Sequence, residues 1–283
     1  MLKVFLVEDE TVIREGLRDR IPWEQYGYRF VGEAADGEVA LPLIRKTRPD
    51  VLITDIKMPF MDGLSLSRIV REEFPKTKIL IISGYDDFEY AREAISIGVD
   101  QYILKPVTRM SLRKVLQELK EKIEIDPVLH VYNRNAGVER INEYIKSNPE
   151  SRDYALFVID IDDFKNINDT YGHLYGDTVI AMVAEMLNKA TDDDTIVGRY
   201  GGDEFFVFLK SSRIAENADR VVDNVCKINI SDDKRITCSV GVADGRIFEE
   251  VPDYKALFSK ADKALYSTKK NGKAHWEIYN ENI

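Results

Sequence analysis

Two stretches in the second half of the chain concentrate oxygen ligands. Asp160-Ile161-Asp162-Asp163-Phe164-Lys165-Asn166-Ile167-Asn168-Asp169 follows the apolar run Ala155 to Ile159 and continues through Tyr171-Gly172-His173-Leu174-Tyr175-Gly176-Asp177. Arg199-Tyr200-Gly201-Gly202-Asp203-Glu204-Phe205 joins the apolar runs Thr195 to Tyr200 and Phe205 to Leu209, which reads as a β-hairpin with acid at its tip. The glycine pair suits a turn that needs positive φ and lets a ligand approach the backbone. Neighbouring strand residues face opposite sides, so Asp203 and Glu204 require a local twist to address one ligand. Alone, such a hairpin is an ordinary solvated turn. Beside a second strand that ends in carboxylate, it supplies the oxygen cage of a hard divalent cation. The cation of this chemistry is Mg²⁺, and with it comes a nucleoside triphosphate.

Together the two stretches closely resemble the GGDEF family of diguanylate cyclases, in a long and ordered match. The resemblance implies that Asp160, the Ile161 carbonyl and Asp203 hold one or two Mg²⁺ ions, with Asp203 the base for the ribose 3′-hydroxyl. Glu204 supports the same acidic pocket. Lys165, Lys269 and Lys273 meet phosphates, Lys273 standing where relatives often have Arg and so losing a two-pronged contact. Gly201 and Gly202 belong to the substrate site, Asn168 and Asp177 read the guanine edge, and His173 sits close to that pocket. Adenine offers no donors to match a carboxylate placed for guanine N1 and N2, so ATP should be rejected.

The first half alternates short Val/Ile/Leu runs with helical segments: strands at Lys3 to Val7, Arg29 to Glu33, Val51 to Thr54, Lys78 to Ile82 and Gln101 to Leu104. This pattern predicts a parallel sheet covered on both faces, with ligands at the carboxyl ends of its strands. At those ends stand Glu8 and Asp9, Asp55, Ser83, and Lys105-Pro106. Three acids and a lysine there make a Mg²⁺ site beside a carboxylate that can be phosphorylated. The set, with Asp55-Ile56-Lys57-Met58-Pro59, Ser83-Gly84 and Tyr102, resembles the receiver domain of response regulators. By that resemblance Asp55 accepts phosphate. Asp9, Asp55 and the Lys57 carbonyl hold one Mg²⁺ with Glu8 acting through water, Lys105 and Ser83 contact the phosphoryl oxygens, and Tyr102 rotates inward as Ser83 moves. Phe60-Met61-Asp62-Gly63 and Gly84-Tyr85-Asp86-Asp87-Phe88-Glu89-Tyr90-Ala91 resemble receivers usually joined to helix-turn-helix outputs, and no such output follows.

The expected fold is therefore an α/β doubly wound, five-stranded parallel sheet of flavodoxin-like type, followed by an α+β palm-like nucleotide cyclase domain. The expected domains are a receiver over residues 1–120, a linker over 121–126 that continues the last receiver helix, and a cyclase domain over 127–283. Leu112, Val115, Leu116, Leu119 and Ile123 form an amphipathic stripe. Its early residues lie on the receiver sheet, and its later ones are open to a short coiled coil with a second copy. Asp126-Pro127 ends it. The cyclase domain then opens on Asp126-Pro127-Val128-Leu129-His130-Val131-Tyr132-Asn133-Arg134, in which Leu129 and His130 replace the family's usual Thr-Gly. A strand is expected over Arg235 to Val242 and helices over Val138 to Lys146 and Thr178 to Lys189.

A net charge of -10 argues against a general nucleic-acid groove. No apolar stretch approaches the roughly 20 residues of a membrane span, so a cytoplasmic place with no membrane partner is expected. Cys226 and Cys238 lack metal-type spacing and are expected as small buried hydrophobes. One pocket binds one GTP, so a cyclic dinucleotide needs a homodimer of cyclase domains. The receiver implies a partner histidine kinase. Where relatives carry an inhibitory Arg-x-x-Asp, this chain has Asp192 and Thr195, which predicts no product feedback there. The alternatives are a phosphorylation-gated GTP-binding interaction module without turnover and a cyclase making a mixed or adenine-containing cyclic dinucleotide, which Asp177 argues against.

Overall fold

The computed structural model describes residues 1–84, 88–192, 194–231 and 234–281, so the Tyr85-Asp86-Asp87 part of the motif after the fourth strand lies outside the described residues. The chain divides into two compact units, Met1–Ile123 and Glu124–Ile283.

In the first unit, strands β1 (Leu2–Val7), β2 (Tyr28–Ala34), β3 (Val51–Asp55), β4 (Lys78–Ser83) and β5 (Gln101–Leu104) pair in parallel in the order β2-β1-β3-β4-β5. This is the flavodoxin-like order, whose ligand crevice lies at the carboxyl ends of the strands. Alternate strand residues feed two cores. Phe5, Val7, Leu52, Ile79 and Ile81 pack with α2 (Gly37–Thr47), α3 (Gly63–Glu73) and α4 (Phe88–Ile97), while Val4, Leu6, Val51, Ile53, Leu80 and Ile82 pack with α5 (Arg109–Glu124). Helix α1 (Thr11–Arg20) lends Leu17 to the second core, and Trp23–Tyr26 form a short 3-10 turn inside the long loop before β2.

The stripe on α5 is used up on its own sheet. Leu112, Leu116 and Leu119 are fully buried, Val115 and Ile123 pack against the same core, and the buried Tyr28 hydroxyl donates to the Leu116 carbonyl at 2.6 Å. The coiled-coil use of its later residues is thereby corrected: the apolar side chains it would need already cover β1, β3 and β4.

The second unit is built on a six-stranded sheet in the order β13-β12-β7-β9-β8-β6. Its centre is antiparallel, formed by β12 (Cys238–Asp244), β7 (Ala155–Ile161), β9 (Glu204–Leu209) and β8 (Ile196–Gly201). Two short edge strands, β13 (Trp276–Ile278) and β6 (Tyr132–Asn133), add in parallel. Phe157, Ile159, Ile161, Phe205 and Val207 face α8 (His173–Ala190) and α9 (Ile214–Val225). Leu156, Val158, Phe206 and Phe208 face α6 (Arg134–Ser147) and α10 (Tyr254–Lys270). The sheet is thus covered on both faces, and the end of β7 carries its acids out between the two helical layers.

Several boundaries differ from the sequence expectation. The strand expected over Arg235 to Val242 is two pieces: Lys234–Arg235 (β11) pairs with Asn229–Ser231 (β10) in a separate ribbon, and the main strand starts at Cys238. Helix α8 begins at His173, because α7 (Phe164–Tyr171) breaks at Gly172, whose φ of 86° ends one helix and admits the next. Helix α6 starts at Arg134, capped by the Asn133 side chain on the Ala136 amide. Cys238 is buried and Cys226 half-buried, both as free thiols.

The departure at Leu129-His130 is absorbed locally. The Asp126 carboxylate accepts from the amides of Val128 and Leu129, Leu129 is 7% exposed in the core, and His130 takes a left-handed φ of 53°. That backbone conformation explains why glycine suits the position in relatives. Among the described residues, no helix is long and apolar enough to cross a membrane.

Candidate functional sites

The cyclase-type site assembles at the carboxyl end of β7. In the β7–β9 register Asp160 lies directly opposite Glu204, so these two carboxylates share the face covered by α10. The hairpin turn is Gly202-Asp203, since Gly201 is the register partner of Glu204. Gly202 has φ 56°, the left-handed value that glycine supplies at the first turn position of a type II′ hairpin. Between Arg199 and Gly201 the register shifts, and this bulge is the local twist that re-aims the acids. The Arg199 guanidinium donates to the Gly202 carbonyl from Nε at 3.0 Å and from a terminal nitrogen at 2.8 Å, holding the turn closed. The Ile161 amide donates to the Asp203 carbonyl at 3.4 Å, so the hairpin tip meets the end of β7.

Charge is concentrated here. Burial raises the Asp160 carboxyl above its ordinary range, and Lys269, whose Nζ lies 2.7 Å from Asp160 Oδ2, offsets this in part. Glu204 is raised by burial and then by Asp160 and Asp203. These acids occupy a site that favours added positive charge, which fits a divalent cation held by Asp160, the Ile161 carbonyl and Asp203. Lys269 comes from the last turn of α10, and a cavity of about 680 Å³ lined by Glu204, Asp262, Tyr266, Lys269 and Lys270 opens beside it.

On the other side stand α7 and α8. Asn168 lies in the last turn of α7, and a Cβ at position 176 would come within 1.9 Å of its Oδ1, so Gly176 is what lets the Asn168 amide lie against α8. His173 and Asp177, four residues apart on the first turns of α8, present exposed side chains from one face. Lys165 is exposed on the first turn of α7. Gly201 and Gly202 are exposed, with nothing within 4 Å of an added Cβ. Lys273 follows α10 and its Nζ sits 2.8 Å from Asp163 Oδ1. Two side chains near the acids have contacts that the sequence did not reveal. Asp162 is buried and engaged by three donors, and Tyr200 takes both the guanidinium of Arg134 over its ring at 4.0 Å and its hydrogen bond at 2.6 Å. The Asn-Arg pair at the start of α6 was the available signal for the latter.

The receiver site lies at the ends of β1, β3 and β5. Ligand oxygens of Glu8, Asp9 and Asp55 fall within 4.8 Å of one another, a convergence found in no other acidic group among the described residues, the cyclase acids included. Lys105 Nζ lies 2.6 Å from Asp55 Oδ2 and 3.0 Å from Glu8 Oε2. Glu8 is 1% exposed, and burial pushes its carboxyl up to about 7 despite the Lys105 bond, a crowding of acids that a bound Mg²⁺ would relieve. The Asp55 carboxylate also accepts from the Ile56 amide at 2.6 Å. Gly63 packs so closely on the Asp55 carbonyl that a Cβ would lie 1.8 Å from it. Ser83 is fully buried at the end of β4, where its carbonyl accepts from the Lys105 amide at 2.7 Å. Tyr102 packs against the core under α2 to α4, and Lys57 is exposed with Nζ 5.5 Å from the Tyr90 ring centre. At the Asp192-Thr195 position, Asp192 takes an ion pair from Arg220 at 3.4 Å.

Comparison with known proteins finds a known family over each of the two units. The family described as "Diguanylate cyclase, GGDEF domain" matches residues 123–275, and "Response regulator receiver domain" matches residues 4–117. The chain is 42% identical over 123 residues to an uncharacterized response regulatory protein of Staphylococcus epidermidis, covering 44% of this chain and 48% of that protein. It is 30% identical over 206 residues to the transcriptional regulatory protein HptR of Staphylococcus aureus, covering 67% of this chain and 80% of HptR. The chain thus spans about half the length of the first of these relatives. The GGDEF domain of YfiN (TpbB) from Pseudomonas aeruginosa superposes with a TM-score of 0.50 at 28% identity, covering 56% of this chain and 95% of that one. With the acids of β7 and the hairpin in one place and the matched region exceeding half the sequence, the chain belongs to the GGDEF-domain diguanylate cyclase family, and a response-regulator receiver domain precedes that domain.

Proposed function

We propose that this protein is a phosphorylation-regulated diguanylate cyclase that condenses two GTP to cyclic di-GMP with release of two pyrophosphates. The observation that carries the reading is the meeting of Asp160 and Asp203 at the end of β7, with Lys269 beside them. Asn168 and Asp177 hold the guanine edge, with His173 at its border. Lys165, Lys269 and Lys273 hold phosphate oxygens, and the exposed Gly201-Gly202 pair leaves room for the nucleotide. Asp203 takes the proton from the ribose 3′-hydroxyl as that oxygen attacks the α-phosphorus of the second GTP and pyrophosphate leaves. Mg²⁺ held by Asp160, the Ile161 carbonyl and Asp203 would supply charge stabilisation to nucleophile and leaving group. Because one site binds one GTP, the working unit is a homodimer.

Control lies in the receiver. Phosphate transferred from a histidine kinase to Asp55 adds about -1.5 to -2 charges. Lys105 neutralises part of it and Ser83 donates to it, with Tyr102 turning inward behind. Asp9, Asp55 and the Lys57 carbonyl, with Glu8 beside them, would hold a Mg²⁺ that would offset the charge of the transferred phosphoryl group. Paired receivers, through the segment from 88 to 115, bring the cyclase half-sites together. Acid at Asp192 leaves no place for the anionic product, so no feedback acts there.

Incubating the purified chain with Mg²⁺ and GTP or ATP, with and without a small-molecule phosphodonor, and weighing the products tests this. Cyclic di-GMP from GTP alone, increased by the donor in the native chain and not in Asp55→Ala, is expected. No dinucleotide from GTP under any condition refutes the enzymatic reading, and equal stimulation of Asp55→Ala refutes the coupling.

A further inference from the structure

Asp162 stands in the middle of the acid cluster, yet it is 8% exposed and turned away from solvent. Its carboxylate is engaged on both oxygens. The Ser239 hydroxyl donates to Oδ1 at 2.6 Å, and the Thr237 hydroxyl at 2.7 Å and the Ala274 amide at 3.1 Å donate to Oδ2. The Asp162 amide in turn donates to the Thr237 carbonyl at 3.0 Å. Asp162 therefore joins the end of β7 to the start of β12 and to the turn that follows α10.

That turn is strained. Gly272, Lys273 and Ala274 have φ of 118°, 61° and 55°, and two of these residues carry a Cβ, for which the left-handed region is costly. Such a backbone persists only where its surroundings fix it. Here the Lys273 amide donates to the Thr268 carbonyl at 3.1 Å, His275 Nδ1 lies 2.7 Å from the Lys273 carbonyl, and the Ala274 amide is held by Asp162. The product of the arrangement is the placement of Lys273, whose ammonium reaches Asp163 at the head of α7, across the mouth of the site.

We propose that Asp162 is a positioning residue for triphosphate recognition: its carboxylate holds the left-handed 272–274 turn and so keeps Lys273 over the end of β7. The inference rests on the nucleoside-triphosphate reading of this site. It assigns Asp162 no contact with substrate or cation.

The test is calorimetric titration of the full chain with GTP and with GMP, for the native protein, Asp162→Ala, Asp162→Asn, Lys273→Ala and the double variant Asp162→Ala/Lys273→Ala. GTP affinity should fall about tenfold in Asp162→Ala and in Lys273→Ala alike, and no further in the double variant, because both changes remove one charge-assisted contact. GMP affinity should stay within about twofold throughout. Asp162→Asn should restore GTP affinity, its amide oxygen accepting from Thr237 and Ala274 while its NH₂ group donates to the Ser239 hydroxyl. Should Asp162→Ala not fold, Asp162→Ser gives the same readouts, since its hydroxyl stops one bond short of Ala274. Additive losses in the double variant, or equal losses for GMP and GTP, overturn the inference. A native chain that binds GTP no better than GMP overturns the triphosphate reading beneath it.

Discussion

A buried carboxylate needs donors, and the fate of each acid here is set by how many it finds. Asp100 finds enough: burial alone would raise it, but the Ile79 amide, Lys78 and Arg71 outweigh that and hold it below the usual range. Since its folded value lies below the unfolded value of about 3.9, its contribution is complete above that pH and fades as pH falls toward the folded value. Asp100→Asn should therefore lower the stability of the receiver by about 1 kcal/mol at neutral pH, after allowance for its partial exposure, and by less in acid. Thermal unfolding at pH 7 and pH 3 checks this. Asp160 and Glu204 find too few donors, and burial raises both. The places of Asp160, Asp203, Asp55 and Lys105 were legible because they follow from residue type and strand-end position. The role of Asp162 was not, because its donors Thr237 and Ala274 stand 75 and 112 residues away along the chain.

At the scale of elements, helix α10 decides where Lys269 stands, and glycine decides where α10 lies. A Cβ at Gly241 on β12 would fall 2.1 Å from both the Ala261 carbonyl and the Leu265 amide. Neither is a flexible side chain, so the helix must move. Gly241→Ala should cost about 3 kcal/mol in stability and reduce GTP binding along with it, as measured by denaturant unfolding and titration. The long strands and helices were readable from apolar runs of the right period: in the receiver, β1, β3 and β4 are dominated by Val, Ile and Leu. The pieces that escaped were β6, β10, β11 and β13, each of two or three residues. So short a strand shows no period of its own and exists because a sheet edge pairs with it. Likewise α7 and the first turn of α8 escaped, because the residues on either side of Gly172 are mostly polar and show no apolar period.

For the whole molecule, two compact units each close their own cores on both faces of a sheet, and α5 gives its apolar stripe to the first of them. The stripe is spent inside that unit, so a coiled coil built on it has no apolar face left to use. In the proposed reaction, acids from two backbone segments join two guanine nucleotides. It is tested most directly by pyrophosphate release from GTP in the phosphodonor-treated chain, with Asp203→Asn in parallel and GTP binding measured for both. Release by the native chain is expected, with a fall of at least about 100-fold in Asp203→Asn and binding left nearly intact. Equal release from both proteins would contradict it.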